Sequence, residues 1–129
     1  MTIAELCLPL MLLVIIGTIV PAKFKGRREY DNANPRDPAF YTPGFRARSL
    51  GAHQNGQECF PFFVAAVLLA EFRGSPGPIV DALAVGFVVA RLIYAICYIA
   101  DKPAARSIVW AAGLGLNVAI FFSPVLFRR

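Results

Sequence analysis

Four long apolar runs separated by short polar connections constrain this chain more than any other feature of its sequence. They occupy residues 3–22, 50–72, 79–100 and 104–127. At about 1.5 Å of rise per residue, a helix of about 20 residues crosses a hydrocarbon core of about 30 Å. A soluble fold of 129 residues buries too small a share of its surface to hide a chain that is 57% hydrophobic and only 16% charged. Lipid is the expected solvent. The expected architecture is an all-α membrane protein, a single domain over residues 1–129 built as a four-transmembrane-helix bundle.

The connections support that reading. Residues 23–48 carry Asn34-Pro35, Asp37-Pro38 and Pro43-Gly44 and read as an ordered or semi-ordered loop. Arg73-Gly74-Ser75-Pro76-Gly77-Pro78 reads as a sharp turn, and Asp101-Lys102-Pro103 as another. The first run has Glu5 where a secretory signal has basic residues, and no Ala-x-Ala site follows it, so it is expected to be a retained helix. Lys23, Lys25, Arg27, Arg28, Arg36, Arg46, Arg48, Lys102 and Arg106 flank the first and third connections. Arg73, Arg128 and Arg129 flank the other side. The positive-inside rule places the first and third connections in the cytoplasm and both termini outside. The net charge of +5 then reflects topology, because these residues do not form the aromatic-interleaved surface of a nucleic-acid binder.

Cys7, Cys59 and Cys97 are odd in number, lack CxxC spacing and lie in apolar runs, which suits small buried hydrophobes rather than disulfides. His53 has no second His or Cys at ligand spacing, so no metal site is expected.

Polar groups inside the runs carry the functional signal. An ionised side chain at mid-span costs about 2.5–3.5 kcal/mol on insertion scales, so Glu58 and Arg91 each need a partner or a water-filled cavity. Counted from the same membrane face, both lie about 12–15 Å deep, which predicts a direct Glu58–Arg91 pair. Such a pair serves either a ligand site or simple helix locking. Arg91, Tyr94 and Tyr98 share one stripe of the third helix, and Asn55 and Glu58 one stripe of the second. Facing each other, the stripes form a polar pocket for an anionic or zwitterionic ligand. An interfacial aromatic belt is the alternative for the tyrosines. Arg106 and Ser107 open the fourth helix, where N–H donors and the positive dipole end suit an anion or thiolate; a topology anchor is the alternative for Arg106. Pro61 frees a backbone carbonyl beside the pocket, and Gly113 and Gly115 suit close helix packing.

At these residues the chain resembles the MAPEG family, the membrane-associated proteins in eicosanoid and glutathione metabolism. The resemblance is carried by Ala52-His53-Gln54-Asn55-Gly56-Gln57-Glu58-Cys59-Phe60-Pro61-Phe62, by Arg91-x-x-Tyr94-x-x-x-Tyr98, and by Arg106-Ser107. It implies a homotrimer with glutathione held between subunits near the cytoplasmic face, lined by Asn55, Glu58, Arg91, Tyr94, Tyr98 and Ser107. Arg106 is the implied catalytic residue, stabilising the thiolate. Lys23 or Lys25 of the adjacent subunit is implied to meet the glutathione carboxylates. The chain departs from the family pattern at Gly51 and Gln54, where arginines are common, and at Trp110, where an aromatic hydroxyl is common.

The expected function is a glutathione-dependent transferase or peroxidase for lipophilic electrophiles entering from the bilayer. The alternative is a non-catalytic lipid-binding or scaffold protein of the same fold. A bacterial inner membrane is the expected location, with periplasmic termini.

Overall fold

The computed structural model describes residues 1–42 and 44–127. Pro43, expected in a turn, and Arg128 and Arg129, counted as flanking charges, lie outside the described residues. The elements are α1 (Ile3–Lys25), α2 (Phe45–Phe72), α3 (Gly77–Ile99) and α4 (Pro103–Leu126), with no strand among the described residues. Helices α1, α3 and α4 are each long and apolar enough to cross a membrane. Helix α2 is longer, but its first half is too polar to meet that standard alone, so it crosses only where its polar side is covered.

The largest boundary difference is at α2, which begins at Phe45 rather than at 50 and takes Arg46 and Arg48 out of the expected loop. Hydropathy marks where apolar side chains begin, but a helix can continue into the polar interface with its backbone bonds intact. The same reason carries α1 to Lys25, beyond the expected end at 22.

The two ends of the bundle are tied differently. Thr2 caps α1 by accepting from the Glu5 N–H at 3.0 Å, while its own N–H donates to the Glu5 carboxylate at 2.8 Å. Asp81 of α3 accepts from the Ala4 N–H at 2.8 Å, and the Thr2 hydroxyl donates to the Glu71 carboxylate. Ser123 donates to Ser75 at 2.9 Å. At the opposite end, Arg48 Nε donates to the Ile99 carbonyl at 3.1 Å, and its Nη1 lies 3.7 Å from Asp101. The helices therefore alternate in direction, and the first and third connections share an end.

Ala4, Cys7, Met11, Ile15, Thr18 and Ala22 are buried along α1 at spacings of three and four, which places them on one stripe. Of these, Ala4, Cys7, Met11 and Ile15 meet Phe63, Ala66 and Val67 of α2 and Val80, Ala84 and Phe87 of α3 in the main core. Phe63 and Phe87 stack with centroids 4.2 Å apart. Leu10, Leu13, Ile16, Val89, Leu92, Ile96, Val118 and Phe122 face outward, so the bundle presents a broad apolar exterior. Such a surface is stable against lipid and not against water.

Close approach occurs where α1 crosses α2: a Cβ on Gly56 would lie 2.9 Å from Ile15 Cγ1. Gly113 and Gly115 do not play the packing role expected of them. A Cβ at Gly113 would make ordinary contact with Ala90 at 3.7 Å, and one at Gly115 would meet nothing within 4 Å. Two residues on from Gly113, Gly115 turns away from α3.

The first connection, residues 26–44, has its own small core. Phe40 and Tyr41 are buried against Ala22, and Tyr30, Phe40 and Tyr41 meet edge to face at 5.2 and 4.9 Å. Asp31 and Asp37 accept from the N–H groups of Ala33 and Ala39, forming side-chain-closed turns. Arg46 bonds Glu29 at 2.6 Å and covers Phe40 at 4.8 Å.

Candidate functional site

Helix α3 supplies the spine of the site. Its Arg91 is only 4% exposed, and the guanidinium lies 4.2 Å from the Tyr94 ring centroid. Tyr94 meets Tyr98 edge to face at 5.7 Å, and the Arg106 guanidinium of α4 covers Tyr98 at 4.5 Å. A cation, two phenol rings and a second cation thus form one continuous ladder. Cation–ring contact offsets part of the cost of holding charge in a low-dielectric bundle, by about 0.5–2 kcal/mol each.

The predicted Glu58–Arg91 ion pair does not form: no salt bridge joins them within 4.0 Å among the described residues. Asn55 stands between them instead. Arg91 Nη2 donates to Asn55 Oδ1 at 2.8 Å, and Asn55 Nδ2 donates to Glu58 Oε2 at 3.3 Å. Depth matching placed both charges at the same level, but depth along the membrane normal says nothing about rotation around α2. The rotation leaves Asn55 half-buried against α3 and Glu58 exposed on the bundle surface.

The single pocket expected between the stripes is divided in two. One hollow of about 250 Å³ holds Asn55, Glu58, Cys59, Arg91 and Asn117 on its wall, among apolar neighbours. The other, about 270 Å³, is lined by Tyr94, Tyr98, Arg106, Ser107 and Trp110. Trp110 belongs to both, so the indole that replaces an aromatic hydroxyl forms their common wall.

At the start of α4 the donor pattern differs from the expectation. The Arg106 N–H already bonds the Lys102 carbonyl at 2.9 Å, and the exposed Ser107 donates its hydroxyl to the Pro103 carbonyl at 3.1 Å. The Arg106 backbone N–H is therefore not a free donor, and the group this residue presents is its guanidinium.

Gly51, noted as a missing cation, has a packing role. A Cβ there would lie 2.5 Å from Tyr98 Oη and 2.8 Å from Cζ, so the Tyr98 phenol rests on the bare α2 backbone. Substituting Gly51→Arg, which supplies the absent charge, is expected to push Tyr98 off Arg106 and to destabilise the bundle by about 1–3 kcal/mol, the usual cost of overpacking. Unfolding of the variant in detergent checks this, and a variant as stable as the wild type would refute it.

A further polar cavity, about 720 Å³, opens under the first connection between Lys23, Arg36, Tyr41, His53, Gln54 and Gln57. Lys23 lines it, whereas Lys25 turns away to cover the Phe45 ring at 4.2 Å. His53 is tied across to α1: its Nδ1 lies 2.8 Å from the Ile15 carbonyl and 3.4 Å from the Thr18 hydroxyl. The carbonyl can only accept, so Nδ1 carries the proton in that contact. The cysteines are free thiols; Cys7 is buried in the core and Cys59 donates to the Gly56 carbonyl at 3.2 Å.

Two residues escaped the sequence reading. Asp81 closes the start of α1, and Asn117 lines the Arg91 hollow at 2% exposure. Asn117 is the only amide in the apolar run of α4, and the rule that singled out Arg91 also applies to it.

No curated protein and no solved structure matched this chain. The sequence model of the MAPEG family matches residues 3–126, which is nearly all of it. With its four-helix membrane bundle, the chain belongs to the MAPEG family, whose members serve glutathione and eicosanoid metabolism.

Proposed function

We propose that this chain is a glutathione-dependent transferase or peroxidase acting on lipophilic electrophiles that enter from the bilayer. The carrying observation is the half-buried Arg106 guanidinium, held over Tyr98 on the wall of a hollow that adjoins the Arg91 site. Glutathione supplies a nucleophilic thiol together with carboxylates and an ammonium group, and the side chains present fit those charges. Arg91 and Arg106 offer guanidinium donors, Glu58 offers a carboxylate, and Asn55 offers both donor and acceptor. Arg106 stabilises the thiolate and lowers the thiol pKa, and Tyr98 keeps the guanidinium in place. Tyr94 and Ser107 complete the lining.

The polar face of α2 supports self-association, as the homotrimer that the family resemblance implies. Gln54, Gln57 and Glu58 are exposed on a helix that must cross the bilayer, and lipid contact there is costly. A second copy covers them and brings its Lys23 and Arg36 cavity towards the hollow that binds glutathione. The basic connections lie in the cytoplasm and the termini in the periplasm of a bacterial inner membrane.

Calorimetry of glutathione against the protein in lipid nanodiscs, paired with conjugation of a chlorodinitrobenzene, tests the reading. Saturable binding below millimolar thiol with measurable conjugation is expected. Absence of binding at millimolar glutathione would refute it. A non-catalytic scaffold is the second reading, favoured by the mutual bonding of Arg91, Asn55 and Glu58, which could lock helices without chemistry. Under that reading, an Arg106→Ala substitution leaves the cellular role intact.

A further inference from the structure

The edge of the bundle formed by α1 and α3 carries a groove that neither the thiol site nor the polar side of α2 uses. Helices α1 and α4 each pack on α2 and α3 and do not touch each other among the described residues, so α2 and α3 form the central diagonal. The polar cavity under the first connection opens along the edge between α1 and α2, and the Arg91 hollow between α2 and α4. The α1–α3 groove, about 770 Å³, lies on a third edge. Small residues open it. Gly17 presents bare backbone, with nothing within 4 Å of where a Cβ would stand, and Ala95 and Ala100 leave the α3 side shallow. Leu13, Leu92 and Ile96 stand on either side as exposed apolar walls. Thr18 is the only polar side chain lining the groove among the described residues, and its hydroxyl is turned back to donate to the Ile15 carbonyl at 2.5 Å.

From Leu92 to Ala100 the groove follows α3 for about 12 Å. One leaflet contributes about 15 Å of a hydrocarbon core about 30 Å thick. The groove therefore runs from mid-bilayer to a single interface, the one where the basic connections lie. Its interfacial end is cationic. Phe45 closes it, and the exposed Lys25 holds its Nζ 4.2 Å over that ring. Arg48 lies three residues beyond Phe45 on the same face of α2, and its Nε donates at 3.1 Å to the carbonyl of Ile99, another lining residue. Asp101 approaches Arg48 Nη1 at 3.7 Å, so the rim carries two cations against one acid. A guanidinium has five N–H donors, and the Arg48 side chain, 31% exposed, keeps some of them for a further acceptor.

We propose that this groove binds an anionic phospholipid, with one acyl chain laid between α1 and α3 and the phosphate held by Lys25 and Arg48. A chain in the groove gains dispersion contacts on three sides, where a lipid on a flat helix face gains them on one. Basic residues at the interfacial end of a gap between spans select an anionic headgroup. A second copy of the chain is the poorer occupant: an apolar span would bring no anion to the rim, and the polar side chains that call for a partner, Gln54, Gln57 and Glu58, lie on α2. The bound lipid ties the end of α1, the start of α2 and the end of α3 together. None of this depends on the thiol reading.

Native mass spectrometry of the full-length protein, equilibrated in detergent with equal mole fractions of dioleoylphosphatidylglycerol and dioleoylphosphatidylcholine, tests the site. The two lipids share their chains and differ in headgroup charge. The wild-type protein is expected to retain the phosphatidylglycerol about tenfold over the phosphatidylcholine, since each interfacial cation favours an anionic lipid by about fivefold and Asp101 offsets part of the Arg48 share. Lys25→Gln is expected to cut that preference by about fivefold while a chain still fills the groove. Gly17→Leu keeps both cations and fills the floor, and it is expected to lose retention of both lipids. Should Gly17→Leu fail to assemble, Ile96→Trp fills the groove from α3 and is expected to act in the same way. Equal retention of the two lipids by the wild type, an undiminished preference in Lys25→Gln, or unchanged retention in the groove-filled variant overturns the inference. A groove-filled variant that loses a subunit and keeps its lipid makes a second copy the occupant, which also overturns it. So does a Lys25→Gln protein that keeps its lipid preference and loses glutathione affinity, because Lys25 then belongs to the thiol site.

Discussion

Replacing Arg106 by alanine is expected to lower the rate of thiol conjugation by about a hundredfold at neutral pH while leaving the bundle assembled. Removing one preorganised charge-stabilising group typically costs about two to three orders of magnitude in rate. The geometry sharpens this. Arg106 is half-buried and packed on Tyr98, so its cation is already in place and no side-chain ordering is required when a thiolate forms beside it. Arg106→Lys keeps the charge but loses the planar group that stacks on the ring, and it is expected to recover only part of the rate. The thiolate absorbance near the far-ultraviolet edge, followed against pH with glutathione bound, measures the cause directly. Without Arg106 the thiol titrates at higher pH, and the rate loss shrinks as pH rises, since hydroxide then supplies the thiolate that the cation no longer stabilises. An Arg106→Ala protein that conjugates at the wild-type rate would exclude this residue from the chemistry.

The second large effect is on stability. Asn55→Leu removes the acceptor that holds Arg91 Nη2 and also removes the donor to Glu58. Arg91 is then buried with its cation satisfied only by the Tyr94 ring, and its Nε is already without a partner. A lost hydrogen bond to a buried charged group costs about 1.5–3 kcal/mol, and the desolvated cation keeps the loss near the upper end. The double substitution Asn55→Leu with Arg91→Leu is expected to regain most of that stability, because the uncompensated charge leaves together with its partner. Unfolding free energies from detergent titration of the reconstituted protein test both. If Asn55→Leu unfolds like the wild type, the Arg91–Asn55–Glu58 bridge is not a stabilising contact. If the double variant is as unstable as the sum of the single ones, the cation is not the source of the cost.

These outcomes turn on one lesson about reading polar residues in a membrane chain. Glu58, Asn55, Arg91, Tyr94, Tyr98, Arg106 and Ser107 were all visible in the sequence, since a costly group in an apolar run stands out without any structure. Their depth was visible too, because helical rise converts position into height. Partnership was not. A direct pair between Glu58 and Arg91 requires two rotations, one of α2 and one of α3, and Asn55 occupies the position that Glu58 was expected to fill. Gly51 illustrates the same limit. In the sequence it is a departure from an arginine common in the family, whereas in the fold it is the patch of bare backbone on which Tyr98 rests. Gly115 errs in the opposite direction, a small residue suited to packing that meets nothing.

Hydropathy and helical rise thus determined the number of helices, their alternating direction and the expected level of each charge within a run, because the bilayer imposes one length and one polarity on every span. Helix rotation and interhelical distance were decided only in the tertiary structure. They made Asn55 the bridge, joined Arg91, Tyr94, Tyr98 and Arg106 into one ladder across α3 and α4, and brought the unremarked Asn117 beside Arg91. The physical reason is that lipid rewards any apolar face equally, so the sequence pattern leaves rotation weakly specified, and packing at a few small residues such as Gly51 and Gly56 selects it.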